Sequence, residues 1–399
     1  MIVKNEEKFL DDCLKGIKEI VDEIVIVDTG STDDTIEIAQ KYNARIFHFA
    51  WNYDFSQARN FSISQATCDW ILVLDADERI EKKDLPKIRK IIRESKKIDG
   101  IYMTIWNQGG NPASISVHYL VRLFRRKSEI RYKGKVHELV MVPNATHLSD
   151  IKIIHLGYHL SEQRMEEKYL RDLNILLECN HKEPNNPILN FYIARTYYNL
   201  KKYAEALIYV DKSEALVELP PQNLSFYVCV LMMKANILMV MNKLHQAESV
   251  CQKGLQWMPG HLDVIHLLGT IYWSMQRFTE AVLYYRKYLL IREDILKDPR
   301  KGFHLRAISA LGKAGEVYSR LAEIYFKEGN YIGAIGEMKQ ALKFNPSSPL
   351  YYYNLGTIYA TRGQLMEARH NFQQALYYQP LFQKARDALD KIQLGERPC

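Results

Sequence analysis

The chain has 399 residues, of which 47% are hydrophobic and 25% are charged. This length suits two or more domains, and this composition is that of a folded globular protein, which excludes a disordered chain. The net charge of +7 is too small and too dispersed for a dedicated nucleic-acid-binding protein, so no nucleic-acid partner is expected.

The sequence also bears on the compartment. No apolar run approaches the roughly 18 residues that a membrane helix needs, and no signal-peptide pattern is present, so neither membrane insertion nor secretion is expected. The six cysteines form no C-x-x-C pair, which argues against a zinc site and against a disulfide framework. A reduced, cytoplasmic environment is therefore the expectation.

Residues 1–160 alternate between predicted strands and predicted helices. The strands are predicted over 1–3, 24–27, 45–49 and 70–74, with helices around 36–39 and over 56–66. Strand–helix units of this length indicate a Rossmann-like α/β domain with a mostly parallel sheet and helices on its faces. In such sheets ligands bind at the carboxyl ends of the strands, where two acidic clusters, at Asp28 and at 75–78, lie.

From about residue 187 the chain repeats. Ala247 and Ala281 are 34 residues apart, and so are Ala334 and Ala368, within a pattern typical of tetratricopeptide repeats. Small residues let the paired helices approach, while Tyr and Leu fill the layers between them. This predicts a helical linker over 161–186 and about five repeats over 187–390, forming an all-α solenoid.

A solenoid of this kind commonly binds a partner on its concave face. The usual occupant is an extended peptide, which predicts a peptide or protein acceptor on the repeats. A plain scaffold role and a homodimer contact are the alternatives for the same surface.

The carboxylates of Asp75 and Asp77 stand one residue apart at a predicted strand end. At this spacing they can point into one cleft and hold Mg²⁺ or Mn²⁺, which can in turn bind a diphosphate. Such a pair occurs by chance in many chains, and the alternative is a turn whose acids cap a helix.

Six stretches in a fixed order give this pair its context. They are 1–7 (MIVKNEE), 26–35 (IVDTGSTDDT), 54–60 (DFSQARN), 74–77 (LDAD), 134–138 (GKVHE) and 155–158 (HLGY). Together they resemble the family 2 glycosyltransferases with the GT-A fold, and with the repeats behind them the whole chain is similar to the sublancin-type peptide S-glycosyltransferases. Enzymes that add sugars to lipopolysaccharide cores share several of these stretches.

This resemblance implies an inverting transfer of a hexose from a UDP-sugar, and it assigns roles by position. Residues implied to bind the nucleotide sugar are Asn5, Glu6, Asp28, Arg59 and Asp75. Asp28 would contact the uracil or the ribose, and Arg59 would set the pocket by pairing with Asp28 or Asp75. Asp77, Asp75 and His155 would hold the Mg²⁺ or Mn²⁺ ion, although a packed histidine is the alternative for His155.

The candidates for the general base are Glu138 and His137. An acceptor hydroxyl needs proton removal, which favours Glu138, whereas a thiol needs less help, so His137 would then suffice. A structural ion pair with the nearby basic run is the alternative for both. The members of that run are Arg122, Arg125, Arg126, Lys127, Arg131, Lys133 and Lys135. One of them is a candidate to stabilise the departing diphosphate, and a solvated face is the expectation for the others.

The sequence alone leaves three questions about function open. The acceptor is a cysteine thiol, a Ser or Thr hydroxyl, or a saccharide on a lipid. The nucleotide and sugar are not fixed by the motifs. A further alternative is an inactive GT-A-like scaffold whose repeats bind protein.

Overall fold

The computed structural model describes residues 1–107, 115–143, 146–157 and 162–394. Contacts within these ranges divide the chain into two compact units. The first holds the described residues up to Pro259, apart from Ile115, together with Asp294–Ile308. The second holds Ile115, Gly260–Glu293 and the described residues from Ser309 onward.

Strands and helices alternate through the first part of the first unit. In chain order they are β1 (Ile2–Val3), α1 (Leu10–Ile17), β2 (Val25–Asp28), α2 (Thr35–Gln40), β3 (Arg45–His48), α3 (Phe55–Gln65), β4 (Trp70–Leu72), β5 (Glu78–Ile80) and α4 (Leu85–Glu94). They are followed by β6 (Gly100–Asn107), β7 (Ser116–Arg125), β8 (Arg131–Lys133), β9 (Leu139–Met141) and β10 (Thr146–His155). The predicted α/β class of this region is confirmed.

These strands form a parallel sheet and a mixed sheet. The parallel sheet has the order β1-β2-β3, as the helix-separated strands predict. In the mixed sheet, β6 pairs antiparallel with β7 and parallel with β10, and β10 pairs antiparallel with β5. β4 pairs antiparallel with β7, a partner about 50 residues later that the local pattern does not reveal.

The two sheets share one hydrophobic core. Leu14 of α1 and Ile26 of β2 are fully buried, and they belong to the same cluster as Ile101 of β6 and Ile153 of β10. The apolar positions of β2 end at Asp28, and those that follow β4 end at Leu74, after which polar turns begin. The core therefore fixes where the acidic turns emerge at the sheet edge.

The rest of the chain is largely helical. The helices are α5 (Glu162–Lys182), α6 (Pro187–Asn199), α7 (Tyr203–Ala215), α8 (Leu224–Val240), α9 (Leu244–Trp257), α10 (Leu262–Ser274), α11 (Phe278–Lys297), α12 (Ala314–Lys327), α13 (Tyr331–Phe344), α14 (Pro349–Thr361), α15 (Leu365–Tyr378) and α16 (Gln383–Gln393). The predicted helical solenoid after the α/β domain is confirmed. No helix in the described ranges combines the length and apolarity that a membrane crossing requires.

Glycine is required where paired helices of the second unit touch. A Cβ on Gly269 would lie 2.7 Å from the ring of Tyr285, and one on Gly356 would lie 2.7 Å from the ring of Phe372. These distances are too short for non-bonded carbon atoms, so the glycines of the repeat pattern lie where two helices are in direct contact.

One strand comes from far along the chain. β11 (Ala307–Ile308) pairs antiparallel with β7, with Ala307 opposite His118 and Ile308 opposite Val117. Both strands belong to the first unit. The repeat pattern over 187–390 does not predict this strand, because two residues carry too little pattern to be read as one.

Candidate functional site

Helix α3 carries Arg59 and is attached to the segment that carries Glu138. Asp54 caps the helix by accepting a hydrogen bond from Gln57 N at 3.0 Å. Asn60 makes two hydrogen bonds with the backbone of Tyr132, at 2.8 and 3.0 Å, and Phe55 N donates to Lys135 O at 2.9 Å. The 54–60 stretch therefore places Arg59 beside the 134–138 stretch.

The guanidinium group of Arg59 contacts carboxylates of two other stretches, 134–138 and 74–77. Its Nε donates to Glu138 Oε1 at 2.6 Å, and its Nη1 donates to Asp75 Oδ1 at 3.1 Å. Of the two pairings predicted for Arg59, the one with Asp75 is present in the structure. The Glu138 side chain is 12% exposed, and within the described chain its second oxygen, Oε2, has no hydrogen-bond partner.

Asp75 lies between two arginines. Arg122 Nη2 is 3.4 Å from Asp75 Oδ2 and also donates to Glu78 Oε1 at 2.5 Å. Burial alone would raise the pKa of Asp75, but Arg59 and Arg122 hold it well below its usual value. Asp75 is therefore a carboxylate that organises the charges around it.

Asp77 is paired with the predicted histidine. His155 Nε2 lies 2.9 Å from Asp77 Oδ2, and its Nδ1 lies 2.7 Å from Asn107 Oδ1. Leu156 N donates to Asp77 O at 3.0 Å, which fixes the end of β10 against the acidic turn. The hydrogen bond to Asp77 raises the pKa of His155.

The fit of a divalent cation to these residues is partial. Within the described ranges, no three His, Cys, Asp or Glu side chains are grouped so that they could hold a metal. Asp77 and His155 are together, and the contact with Asn107 fixes the orientation of the His155 ring, as hydrogen-bond partners do for metal-binding histidines. Asp75, the third predicted ligand, is turned toward Arg59 and Arg122. Of the three residues predicted to hold the ion, the structure thus brings Asp77 and His155 together and pairs Asp75 with arginines.

The other residues predicted to bind the nucleotide sugar lie at the ends of β1 and β2. Asp28 accepts hydrogen bonds from Gly30 N at 3.1 Å and Ser31 N at 3.0 Å. Burial alone would raise the pKa of Asp28, but the hydrogen bonds from Ser31 and Gly30 outweigh it and lower the pKa. Asn5 Oδ1 accepts from Thr32 N at 2.8 Å, and Glu6 N donates to Thr35 Oγ1 at 2.7 Å. These contacts join the two loops into one strand-end surface.

His137 contacts residues of α6. Its ring stacks on Tyr192 with centroids 4.3 Å apart, and Arg195 Nη2 lies 2.8 Å from its Nε2. Burial, followed by the charge of Arg195, lowers the pKa of His137 to about 3. A histidine with so low a pKa is a weak base near pH 7, which leaves Glu138 as the other predicted candidate.

The basic run does not form one solvated face. Arg122 is only 9% exposed and belongs to the charge network. Arg125 and Lys127 pair with Asp99, and Arg126 Nε donates to Cys68 O. The expectation of a solvated face is therefore wrong for Arg122, which is buried, whereas Arg126, Arg131 and Lys133 are exposed as expected.

Several residues at the site were not singled out from the sequence. Asn107 and His118 lie on the paired strands β6 and β7, and Arg195 lies in a helix. Burial, then the charges of Arg195 and His155, lower the pKa of His118 to about 4. Tyr158 of the last motif, Cys399 and the predicted boundary at 160/161 lie outside the described residues.

Residues 1–146 match the model of Glycosyl transferase family 2. The N-terminal part of the chain is a family 2 glycosyltransferase domain. Tetratricopeptide models match 262–295, 322–363 and 350–380, behind that family 2 domain. The domain content predicted from the motifs and from the repeat period is thereby confirmed.

Curated proteins similar to this chain include glycosyltransferases and a repeat protein. The SPbeta prophage-derived glycosyltransferase SunS of Bacillus subtilis is 34% identical over 221 residues, which are 53% of this chain and 52% of SunS. A TPR repeat-containing protein of Synechococcus elongatus is 39% identical over 140 residues, 35% of this chain and 34% of that protein.

The Lipopolysaccharide core biosynthesis glycosyltransferase LpsC of Rhizobium meliloti is 30% identical over 148 residues, 35% of this chain and 54% of LpsC. The chain thus spans about half, or less, of the length of these curated relatives.

Proposed function

We propose that the protein is an inverting glycosyltransferase that moves a hexose from a UDP-sugar to a peptide or protein acceptor, with a cysteine thiol as the favoured group. The observation that carries the proposal is the arrangement in the family 2 domain. Glu138 is held by Arg59, Arg59 binds Asp75, and Asp77 two residues later pairs with His155.

The donor occupies the strand-end surface in this proposal. Asn5, Glu6 and Asp28 line the nucleotide end, where their hydrogen bonds join the loops after β1 and β2 into one surface. Asp77 and His155 face the diphosphate. Bound there with Asp77 and His155 as ligands, Mg²⁺ or Mn²⁺ would neutralise charge on the diphosphate. Asp75 contributes by keeping Arg59 and Arg122 in place.

The transfer is a single displacement at the anomeric carbon. The acceptor sulfur or oxygen forms a bond to that carbon while the bond from the carbon to the diphosphate oxygen breaks, and the electron pair leaves with UDP. The acceptor proton passes to Glu138, whose Oε1 is held by Arg59 while Oε2 faces no protein partner within the described chain. Attack opposite the leaving group inverts the configuration.

Peptide and protein acceptors are favoured because the family 2 domain is followed by repeats. SunS, a glycosyltransferase, is similar to this chain over half of its length. Similarity to LpsC favours a saccharide on a lipid as the second candidate acceptor. We infer a nucleotide-sugar site shared by both alternatives, so the acceptor is what an experiment must separate.

The test combines donor binding with product mass. The protein would be incubated with a panel of UDP-sugars, Mn²⁺ or Mg²⁺, and one of three acceptors: a Cys peptide, its Cys→Ser version, and a lipopolysaccharide-core saccharide. A mass increase of one hexose on the Cys peptide, absent in Asp77→Asn, is the expected result. Donor binding by calorimetry without any product would favour a scaffold, and neither binding nor product would contradict the proposal.

A further inference from the structure

Helix α6, the first helix of the region predicted to form the repeats, contacts the stretch that carries the general base. Tyr192 stacks on His137 with an interplanar angle of 29°, and Arg195 Nη2 lies 2.8 and 3.1 Å from the two ring nitrogens of His137. The Arg195 guanidinium also lies over the Tyr192 ring, 4.8 Å from its centroid. The three side chains therefore form one packed group.

The backbone of this stretch has an unusual conformation. His137 has φ = 58° and Gly134 has φ = 99°, both in the left-handed region, which residues other than glycine adopt uncommonly. Such a conformation persists only where surrounding contacts hold it. The held residue directly precedes Glu138, so the conformation of His137 sets where the Glu138 side chain begins.

Apolar contacts hold the same stretch from the preceding residue. Val136 belongs to a buried cluster with Leu173 and Leu176 of α5 and Ile193 of α6. On the other side Arg59 binds the Glu138 carboxylate. The stretch is thus fixed by α3 at one side and by α5 and α6 at the other, all within the first compact unit.

We infer that Tyr192 and Arg195 are positioning residues for the transfer reaction, which hold His137 and thereby aim the Glu138 carboxylate at the acceptor. This inference rests on the proposed function for its kinetic consequence. The buried guanidinium of Arg195 makes no ion pair with a carboxylate within the described residues, so its role at this position is the contact with His137 and Tyr192. Helix α6 thus belongs to the machinery of the transfer site.

The test compares substitutions on one face of α6 with a matched control on the same helix. Tyr192→Ala and Arg195→Gln remove the contacts with His137, and Tyr192→Phe retains the stacked ring. Tyr198→Ala is the control, because Tyr198 contacts Tyr203, with ring centroids 5.6 Å apart. We expect at least a tenfold lower kcat in the first two variants, with the donor Kd and the acceptor KM within about threefold of wild type. Tyr192→Phe and Tyr198→Ala should retain the wild-type kcat.

A second measurement needs no activity. Hydrogen–deuterium exchange of the backbone amides of 134–139 should be faster in Tyr192→Ala and Arg195→Gln than in Tyr198→Ala, at equal melting temperature. Unchanged exchange and unchanged kcat in Tyr192→Ala would overturn the inference, as would equal losses in Tyr198→Ala. If wild type transfers no sugar at all, the proposed function fails, and the exchange result alone decides whether α6 holds the stretch.

Discussion

Arg59 donates a hydrogen bond to Glu138 across 79 positions of the sequence, at 2.6 Å between Nε and Oε1. The same guanidinium binds Asp75, so one positive charge compensates two carboxylates. Making both hydrogen bonds requires an arginine, because a guanidinium presents several donors in a fixed plane whereas the ammonium group of a lysine does not. This shared charge makes Arg59 central to the stability and the activity of the site.

Replacement of Arg59 by Met should destabilise the fold strongly. The Arg59 side chain is 13% exposed, and its loss would leave the carboxylates of Asp75 and Glu138 without this counterion. A loss of about 3–5 kcal/mol in the free energy of unfolding is expected, and Arg59→Lys should lose less. The control is Arg45→Met. Arg45 pairs with Glu23, but its side chain is 45% exposed, so a loss of about 1 kcal/mol or less is expected. Equal losses in urea denaturation would contradict the central role of Arg59.

Asp77→Asn should abolish transfer while the fold remains intact. The substitution keeps the shape of the side chain but removes the charge that would bind a divalent cation opposite His155. Calorimetry should show Mn²⁺ binding in the presence of UDP for wild type and none for Asp77→Asn, with melting temperatures within a few degrees. Full activity of the variant, or of wild type in excess EDTA, would refute the metal assignment.

Glu138→Gln should separate the two acceptor classes. Removal of a general base costs a rate factor of about 10²–10⁴, and a Ser acceptor should show this loss. A Cys acceptor already has a thiolate fraction near pH 8, so its loss should be smaller and should recover in part as the pH approaches about 8.5. The measurement is a pH–rate profile for wild type and variant on Cys and Ser versions of one peptide. Equal, pH-independent losses on both would mean that Glu138 orients groups without taking a proton.

His266 should make the second unit sensitive to acid. Burial lowers its pKa to about 4, and its ring packs near Tyr288, with centroids 5.3 Å apart. Between pH 6.5 and 4, His266 binds a proton in the unfolded chain but stays unprotonated in the native protein. Its contribution to stability therefore falls as the pH falls, by up to about 1.4 kcal/mol per pH unit. Denaturant unfolding of His266→Gln should show a shallower loss than wild type over this range. His245→Gln, at an 88% exposed side chain, should match wild type.

The placement of the acidic residues at the sheet edge was predictable because these residues lie in short local stretches. Asp28, Asp75 and Asp77 each follow an apolar run, and the 54–60 stretch encodes both the helix cap and Arg59. The orientation of Asp75 was not predictable, since it depends on Arg122, which is buried in a strand whose neighbouring positions 121–124 are all buried. Arg195 and Asn107 gave no signal either. Each reaches the site only through tertiary packing, which one sequence does not reveal.

The pairing of β11 with β7 has a consequence for how the protein is made. The mixed sheet cannot acquire this strand until Ile308 has left the ribosome, long after Arg125 at the end of β7 has emerged. At about 5–20 residues per second, the delay is on the order of ten to forty seconds. During that interval the β7 backbone at Val117 and His118 lacks this partner, whereas β4 has already emerged to pair with Leu123–Arg125. The late strand therefore leaves a short stretch of unpaired edge on the nascent chain.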